Sequence, residues 1–329
     1  MTRWLCASLA AAWLIAASLN PSYSGDKKKD PPKNRIAHTS EKEAGPDFQI
    51  QGEYVGKHDG MTIAAQVIAK GDGKFVIYGL KGGLPGDGWE GQEKLKLDGV
   101  TEDGKVTFKN KDISGTIKDG KIMVQKGDDT ATLERVVRKS PTLGAKPPEG
   151  AVVLFDGKSA DEWQGGKLVE GDLLNNGIRS KKKFKDYTMH IEFRLPFMPY
   201  AGGQDRANSG VYMQDRYEIQ VLDSFGLKGQ DNECGGIYSQ FAPKVNMCFP
   251  PLSWQTYDID FTAARFENGK RVKPAVITVR HNGVVIHENQ DIKGETGGGQ
   301  PETDTPGPFQ LQDHGNPVYF RNIWVAEKK

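Results

Sequence analysis

The sequence predicts an all-β protein whose C-terminal part is a two-sheet sandwich. Three observations lead to this fold class. Short runs of alternating apolar and polar residues recur along the chain, Asp-Gly and Asn-Gly turns separate many of them, and helical periodicity is absent after the N-terminal segment. Since a parallel sheet would need helical crossovers, antiparallel sheets are expected throughout.

The N-terminal segment has the order of a secretory signal peptide. Arg3 supplies a positive charge, an apolar run extends from Trp4 to Leu19, and Asn20 and Pro21 then break it. We expect a signal peptide over residues 1–24, because the run is short for a membrane span. The protein is therefore predicted to be exported to the periplasm, the cell envelope or the medium, with no membrane span after cleavage. Residues 25–45 are lysine-rich and polar, which predicts a flexible linker.

Two β-rich regions follow the linker. Residues 46–138 contain short strand-like runs separated by Asp-Gly turns, and they predict a small accessory domain, an antiparallel meander of about seven strands that is closed or nearly closed into a barrel. Residues 139–150 are rich in Pro and Gly and form a second linker. Residues 151–329 are again strand and turn, and we expect them to form the sandwich.

Composition limits the partners. Lys and Arg number 44 and Asp and Glu 43, so the formal net charge is +1, and electrostatics favours neither nucleic acid nor an anionic membrane. Export would permit disulfides. Cys234 and Cys248 would remain after cleavage, and they either pair with each other or stay as buried thiols. No sequence pattern indicates an oligomeric state.

In the sandwich region, strand alternation assigns polar side chains to the faces opposite the apolar ones. Several of these side chains can move protons or hold hydroxyl groups, which a merely solvated face of Lys, Thr and Ser offers less often. Each of them could also be a solvated or paired surface group. The candidates are His190, Glu192 and Arg194 on one strand and Glu218 and Gln220 on another.

A second set of candidates surrounds a tight turn at residues 313–316. His314 lies in this turn, where a side chain can extend over a sheet, or it is an ordinary turn histidine. Gln312 precedes the turn and Arg321 follows it on the return strand. Asn208 opens another strand, and its amide suits either a turn or a sugar hydroxyl.

Six segments match, in order, the motifs of one bacterial family. They are LFDGKSADEW (154–163), NSGVYMQDRYEIQVLD (208–223), CGGIYSQFAP (234–243), WQTYDIDF (254–261), HNGVVIHEN (281–289) and LQDHGNPVYFRNIW (311–324). Together they resemble the bacterial 3-keto-disaccharide hydrolase domain over nearly the whole of residues 151–329. The resemblance implies a concanavalin A-like jelly roll with a sugar site on its concave sheet.

The resemblance also implies a carbohydrate substrate and a reaction. A 3-keto group acidifies the C2–H, a base removes that proton, the enolate expels the C1 substituent, and water then adds. We expect Glu218 and His314 to be the acid/base pair. Arg194 or a divalent metal would stabilise the enolate, although no metal spacing such as H-E-x-x-H occurs. The expected substrate-binding residues are His190, Glu192, Arg194, Asn208, Gln220, Gln312 and Arg321.

Three alternative functions compete with this reaction. A retaining glycosidase of the laminarinase type would carry E-x-D-x-x-E, but residues 218–223 read EIQVLD, with Gln220 where a carboxylate belongs. A noncatalytic carbohydrate-binding module of the cell envelope would use the same face without acid/base chemistry. A purely structural envelope protein is a weaker alternative.

Overall fold

The computed structural model describes residues 31–329, so the signal peptide predicted over residues 1–24 lies outside the described residues. Residues 32–329 form one compact unit, in which a closed β-barrel precedes a two-sheet sandwich. The predicted all-β class and the predicted order of barrel and jelly-roll sandwich are confirmed. No helix within residues 31–329 is long and apolar enough to cross a membrane.

The chain before the barrel has regular structure where the sequence predicted a flexible linker. A 3₁₀ turn spans Lys33–Arg35 and helix α1 spans Glu41–Ile50, with a break at Gly45 (φ 73°). His38 exchanges two backbone hydrogen bonds with Phe197, of 3.0 and 2.8 Å, and Phe48 packs edge-on against the Phe197 ring. The linker prediction for residues 25–45 is wrong for the described part, because the polar composition did not reveal that the Phe48 ring packs on Phe197.

Eight antiparallel strands close the barrel, one more than the sequence suggested. Buried Phe75, Ile77, Val106 and Phe108 alternate with more exposed residues. Asp103 and Asp119 have positive φ at the predicted Asp-Gly turns. The strands are β1 (Gly52–His58), β2 (Met61–Ala69), β3 (Lys74–Lys81), β6 (Leu95–Glu102), β7 (Lys105–Lys109), β8 (Ser114–Lys118), β9 (Lys121–Lys126) and β10 (Asp129–Val136), with a short pair β4 (Leu84–Pro85) and β5 (Gly88–Trp89) beside them. Their order around the barrel is β1-β10-β9-β8-β7-β6-β3-β2.

The sandwich consists of a large sheet and a small sheet. Its strands are β11 (Val152–Phe155), β12 (Trp163–Gln164), β13 (Leu168–Val169), β14 (Leu173–Leu174), β15 (Ile178–Ser180), β16 (Tyr187–Arg194), β17 (Ser209–Met213), β18 (Tyr217–Val221), β19 (Trp254–Thr262), β20 (Arg265–Glu267), β21 (Lys270–Lys273), β22 (Val276–His281), β23 (Val284–Asp291), β24 (Gln310–Leu311) and β25 (Tyr319–Glu327). The large sheet has the order β13-β14-β25-β16-β19-β22-β23, with β11 paired to β25. The small sheet has the order β12-β15-β24-β17-β18.

The apolar faces of the two sheets pack on each other. The Tyr217 ring of the small sheet lies 5.7 Å from the Phe261 ring of the large sheet, and Tyr187 packs edge-on against Phe309 at 5.0 Å. Cys234 and Cys248 are free thiols buried in this core. Of the two alternatives for these cysteines, the structure shows the buried thiols.

Polar contacts connect the barrel to the sandwich. Lys94 donates to the carbonyls of Gly226 and Leu227, both at 3.1 Å. Arg138 binds the buried barrel carboxylate of Glu53 through two nitrogens, at 2.7 and 2.6 Å, and its guanidinium lies over the Phe249 ring. Barrel and sandwich therefore meet through buried charge as well as apolar packing.

Candidate functional site

The expected site residues divide between the two outer faces of the sandwich. In each strand the apolar side chains fill the shared core, so the polar ones point away from it and away from the other sheet. The structure therefore does not bring the whole expected set together, because alternation shows which residues share a face but not which sheet their strand joins. The large sheet carries His190, Glu192, Arg194 and Arg321, and the small sheet carries Glu218 and Gln220, with Asn208 and Gln312 at the ends of its strands.

On the large sheet, Glu192 holds the segment that joins barrel and sandwich. Its side chain is 1% exposed. One carboxylate oxygen accepts from the backbone N–H of Gly144 at 2.5 Å and from Asn322 at 2.9 Å, and the other accepts from Arg321 at 2.7 Å. Burial alone would raise the pKa of Glu192, but these hydrogen bonds and one from His190 lower it to about 2.

His190 belongs to the same network. Its Nδ1 lies 2.6 Å from Asp258 and its Nε2 lies 3.4 Å from Glu192. Burial disfavours the imidazolium, but the two carboxylates outweigh it, and the pKa of His190 is raised. Thr142 donates to the other oxygen of Asp258 at 2.6 Å. We call residues 140–145 the strap, since they lie across this face and are bonded to it at both ends.

The four expected residues of the large sheet make contacts that lie away from Glu218. Glu192 bonds the strap, and His190 bonds Glu192 and Asp258. Arg194 pairs with Glu170 at 2.5 Å and lies over the Trp254 ring, on the face opposite Glu218. Arg321 bonds Glu192 and also lies over Trp254, 3.9 Å from its centroid. None of the four lies on the face that carries Glu218, so the structure does not bring them into one site with it.

On the small sheet, Glu218 is a buried carboxyl group, 2% exposed. Tyr212, directly opposite on β17, places its hydroxyl 2.8 Å from Glu218 Oε2 and 2.6 Å from the Gly297 carbonyl. Burial raises the pKa of Glu218 to about 7, although the hydrogen bond from Tyr212 acts to lower it. Residue 210 must be glycine for the Glu218 carboxyl to lie where it does, because a Cβ on Gly210 would be 2.1 Å from Glu218 Oε1.

Amide side chains surround this carboxyl group. Gln220, oriented with its nitrogen toward Glu218, donates to Oε1 at 3.0 Å. Asn208 donates to the Gln204 carbonyl at 2.8 Å, and Gln312 lies 3.5 Å from the Tyr212 hydroxyl. Asn208 Oδ1 and Gln312 Oε1 are buried acceptors that no residue in the range 31–329 satisfies. Together these residues provide a proton acceptor among groups suited to sugar hydroxyls.

Comparison with known proteins identifies the family of the sandwich region. The sequence model of the 3-keto-alpha-glucoside-1,2-lyase-like domain matches residues 150–326. The chain belongs to this family. A "putative glycosyl hydrolase" from Parabacteroides distasonis, solved at 2.13 Å, is 35% identical, with a TM-score of 0.50 over 55% of this chain and 85% of that one. A second protein of that description and organism is 18% identical, with a TM-score of 0.40 over 55% and 95% of the two chains.

No curated protein matches the chain. The family and its solved relative confirm the resemblance seen in the sequence and give the chain a glycoside hydrolase-type or related carbohydrate function. The lyase-like domain therefore coincides with the sandwich. Its small-sheet face carries the ionisable group whose pKa lies nearest neutrality among the expected carboxyls.

In the lyase-like domain, His314 lies in an exposed turn beside Asn208. The Asn208 N–H donates to Asn316 at 2.8 Å, and Gly315 donates to Asp313 at 2.7 Å. His314 makes no hydrogen bond or ion pair with any residue from 31 to 329, and Tyr212, not His314, contacts Glu218. Residues 31–329 include no group of three His, Cys, Asp or Glu side chains placed to hold a metal ion.

Tyr212 was not identified from the sequence, although a signal for it exists. Gln214 and Asp215 both have positive φ, at 55° and 59°, in the turn between β17 and β18. A three-residue hairpin loop over residues 214–216 places Tyr212 opposite Glu218. Counting the register of this hairpin would have found the pair.

Proposed function

We propose that this chain cleaves 3-keto-glycosides by elimination and hydration, with Glu218 as the base that removes the C2 proton. The observation that supports this role is the buried Glu218 carboxyl, whose pKa is about 7. A base of this pKa is half ionised at neutral pH, and it retains enough basicity for a carbon acid that the adjacent ketone has acidified.

The reaction balances in two stages. Glu218 takes the C2 proton and the electron pair of that bond enters the enolate. The enolate reforms the C3 ketone, a C1–C2 double bond forms, and the C1–O bond breaks with a proton delivered to the leaving oxygen. Water then adds its oxygen to C1 and gives one proton to the acid that protonated the leaving oxygen, while Glu218 returns its proton to C2. The result is net hydrolysis, with both the acid and the base restored.

Tyr212 supports both protonation states of this base. When Glu218 is ionised, the Tyr212 hydroxyl donates to Oε2 at 2.8 Å. When Glu218 is protonated, its O–H can donate to the Tyr212 oxygen, and Tyr212 then donates to the Gly297 carbonyl at 2.6 Å. The proposed proton cycle therefore requires only a reorientation of one hydroxyl.

His314 is proposed as the acid for the leaving oxygen. Its support is its location in the turn that bonds Asn208, at the end of the small sheet, with an exposed ring that is not engaged by another side chain of the described residues. Asn208 and Gln312 are proposed to hold sugar hydroxyls through the acceptors that lack protein donors.

Sugar release from a 3-keto-disaccharide and from its unoxidised parent, each with and without divalent metal, tests the function. We expect release from the keto substrate alone, a fall of at least about 1000-fold in kcat for Glu218→Gln, and a smaller fall for His314→Gln. Glu288→Gln, an exposed control of the same type, should remain active. Full activity in Glu218→Gln would remove this residue from the role, and glycan binding without release would favour the noncatalytic module.

Export remains a prediction from the sequence of residues 1–24. The intact mass of protein recovered outside the cytoplasm would test it. A mass that still includes this segment would contradict cleavage.

A further inference from the structure

A row of polar side chains crosses the outer face of the small sheet. Register pairs Glu218 with Tyr212, Tyr212 with Gln310, Gln310 with Arg179, and Arg179 with Gln164. Side chains opposite each other in neighbouring strands lie on the same face. Exposure increases along this row, from buried Glu218 to exposed Arg179 and Gln164, so the row leads from the proposed base to solvent.

Arg179 is held in place at the exposed part of this row. Its Nε lies 3.0 Å from Asp215 Oδ1, and its Nη2 donates to Gln310 Oε1 at 3.2 Å. Its Nη1 donates to no residue within 31–329, and the side chain is 45% exposed. A guanidinium fixed by two neighbouring side chains, with both N–H groups of Nη1 left over, is a preorganised hydrogen-bonding group.

The backbone at Asp215 supports this placement. Gln214 and Asp215 both adopt positive φ, which is uncommon for residues other than glycine. The Gln300 N–H bonds the Asp215 carbonyl at 2.7 Å, so the loop after β23 fixes this turn. The carboxylate of Asp215 also offsets the charge of Arg179, and this favours a neutral hydroxyl over an anionic group.

The spacing suits the length of a substrate. Arg179 is three strands away from Glu218, and with neighbouring strands about 4.8 Å apart the two residues are separated by about 14 Å across the sheet. Two linked pyranose rings cover a distance of this order, whereas a single ring does not. A sugar whose C2 lies at Glu218 would therefore extend its second ring toward Arg179.

We infer that Arg179, Gln310 and Asp215 form a subsite for the second sugar of a neutral disaccharide. This inference rests on the proposed function. The subsite makes the protein favour disaccharides over glycosides whose C1 substituent is small and apolar. Its hydrogen bonds are made in the bound state and contribute mainly to KM.

The test compares two substrates, a 3-keto-disaccharide and methyl 3-keto-glucoside, in the full protein. Arg179→Gln should lower kcat/KM for the disaccharide about tenfold, the value of one charge-assisted hydrogen bond, and leave the methyl glycoside unchanged. Arg265→Gln is the matched control, since Arg265 forms a similar surface pair with Asp186 at 2.6 Å but belongs to the separate two-stranded sheet of β20 and β21. Equal losses on both substrates, or no loss on either, would overturn the subsite.

Calorimetric binding of the same two sugars separates this inference from the proposed reaction. If the wild-type protein cleaves neither sugar, the subsite still predicts that Arg179→Gln weakens binding of the disaccharide alone. That result would keep the subsite and reject the cleavage. Equal weakening for both sugars, or no binding of either by the wild type, would overturn the subsite.

Discussion

At the scale of single residues, Glu218 and Tyr212 form the pair that sets the proton chemistry. Burial raises the pKa of Glu218 to about 7, and the Tyr212 hydroxyl lowers it from the higher value that burial alone would give. The pKa of Tyr212 is itself raised by burial and by the nearby carboxylate, so the phenol stays neutral and remains a donor. The ionised fraction of Glu218 therefore depends on burial and on the hydrogen bond from Tyr212.

Tyr212→Phe should move the pH profile upward. Without the phenol donor the pKa of Glu218 rises above about 7, and since the base must be ionised, the rising limb of kcat/KM should shift to higher pH. The measurement is a pH series with the keto substrate. Tyr200→Phe, which removes a hydroxyl bonded to Asp72 at 2.9 Å, should leave the limb in place. A limb that stays fixed in Tyr212→Phe would mean that another group governs it.

At the scale of elements, strand β17 determines where the Glu218 carboxyl lies. Gly210 faces Gln220 across the hairpin, and its missing side chain leaves space for Glu218. The loop Thr296–Gly299 covers the other side, with Thr296 accepting from the Glu218 N–H at 2.9 Å. Strand and loop together enclose the carboxyl, and this enclosure produces its raised pKa.

Gly210→Ala should therefore lower activity without unfolding the protein. The added Cβ would meet Glu218 Oε1 at 2.1 Å, so the carboxyl must move, and we expect a loss of at least about tenfold in kcat/KM. Gly79→Ala is a strand control in the barrel, where the nearest atom lies at an ordinary 3.5 Å. The assay pairs activity with thermal unfolding. Full activity in Gly210→Ala would show that the observed position of Glu218 is unimportant.

At the scale of the whole molecule, the strap joins barrel and sandwich through a buried charge. Glu192 bonds the backbone of Gly144, and Asn322 and Trp324 donate to the carbonyl of Ala145 at 3.1 and 3.0 Å. Because the pKa of Glu192 is lowered to about 2, its ionised form stabilises the fold. This contribution is complete above the ordinary value of 4.5 and is lost as pH falls toward about 2.

Glu192→Gln should destabilise the protein by about 3 kcal/mol near neutral pH, since it breaks a buried ion pair. The difference from wild type should shrink as pH falls from 4.5 toward about 2, where the native carboxyl also becomes neutral. Denaturant unfolding at several pH values measures this, and trypsin cleavage after Lys139 should become faster. A pH-independent difference would point to lost packing instead of lost charge.

Much of the fold and part of the site follow from local patterns. Alternation placed Glu218 and Gln220 on a polar face because a strand has a period of two residues. It could not distinguish their sheet from that of His190, because sheet membership depends on pairing between distant segments, such as β16 with β25 and β17 with β24. The helix Glu41–Ile50 escaped prediction for a similar reason, since Phe48 gains its partner, Phe197, only in the folded chain.

The strap also has an evolutionary consequence. The family match begins at residue 150, yet Glu192 depends on the backbone of Gly144. A recombination event that joined another module directly to residue 150 would leave this carboxylate without one of its donors. The segment that must be kept together for the sandwich to retain this hydrogen bond is therefore longer than the family match. A different N-terminal module joined at residue 150 would have to supply its own donor to Glu192.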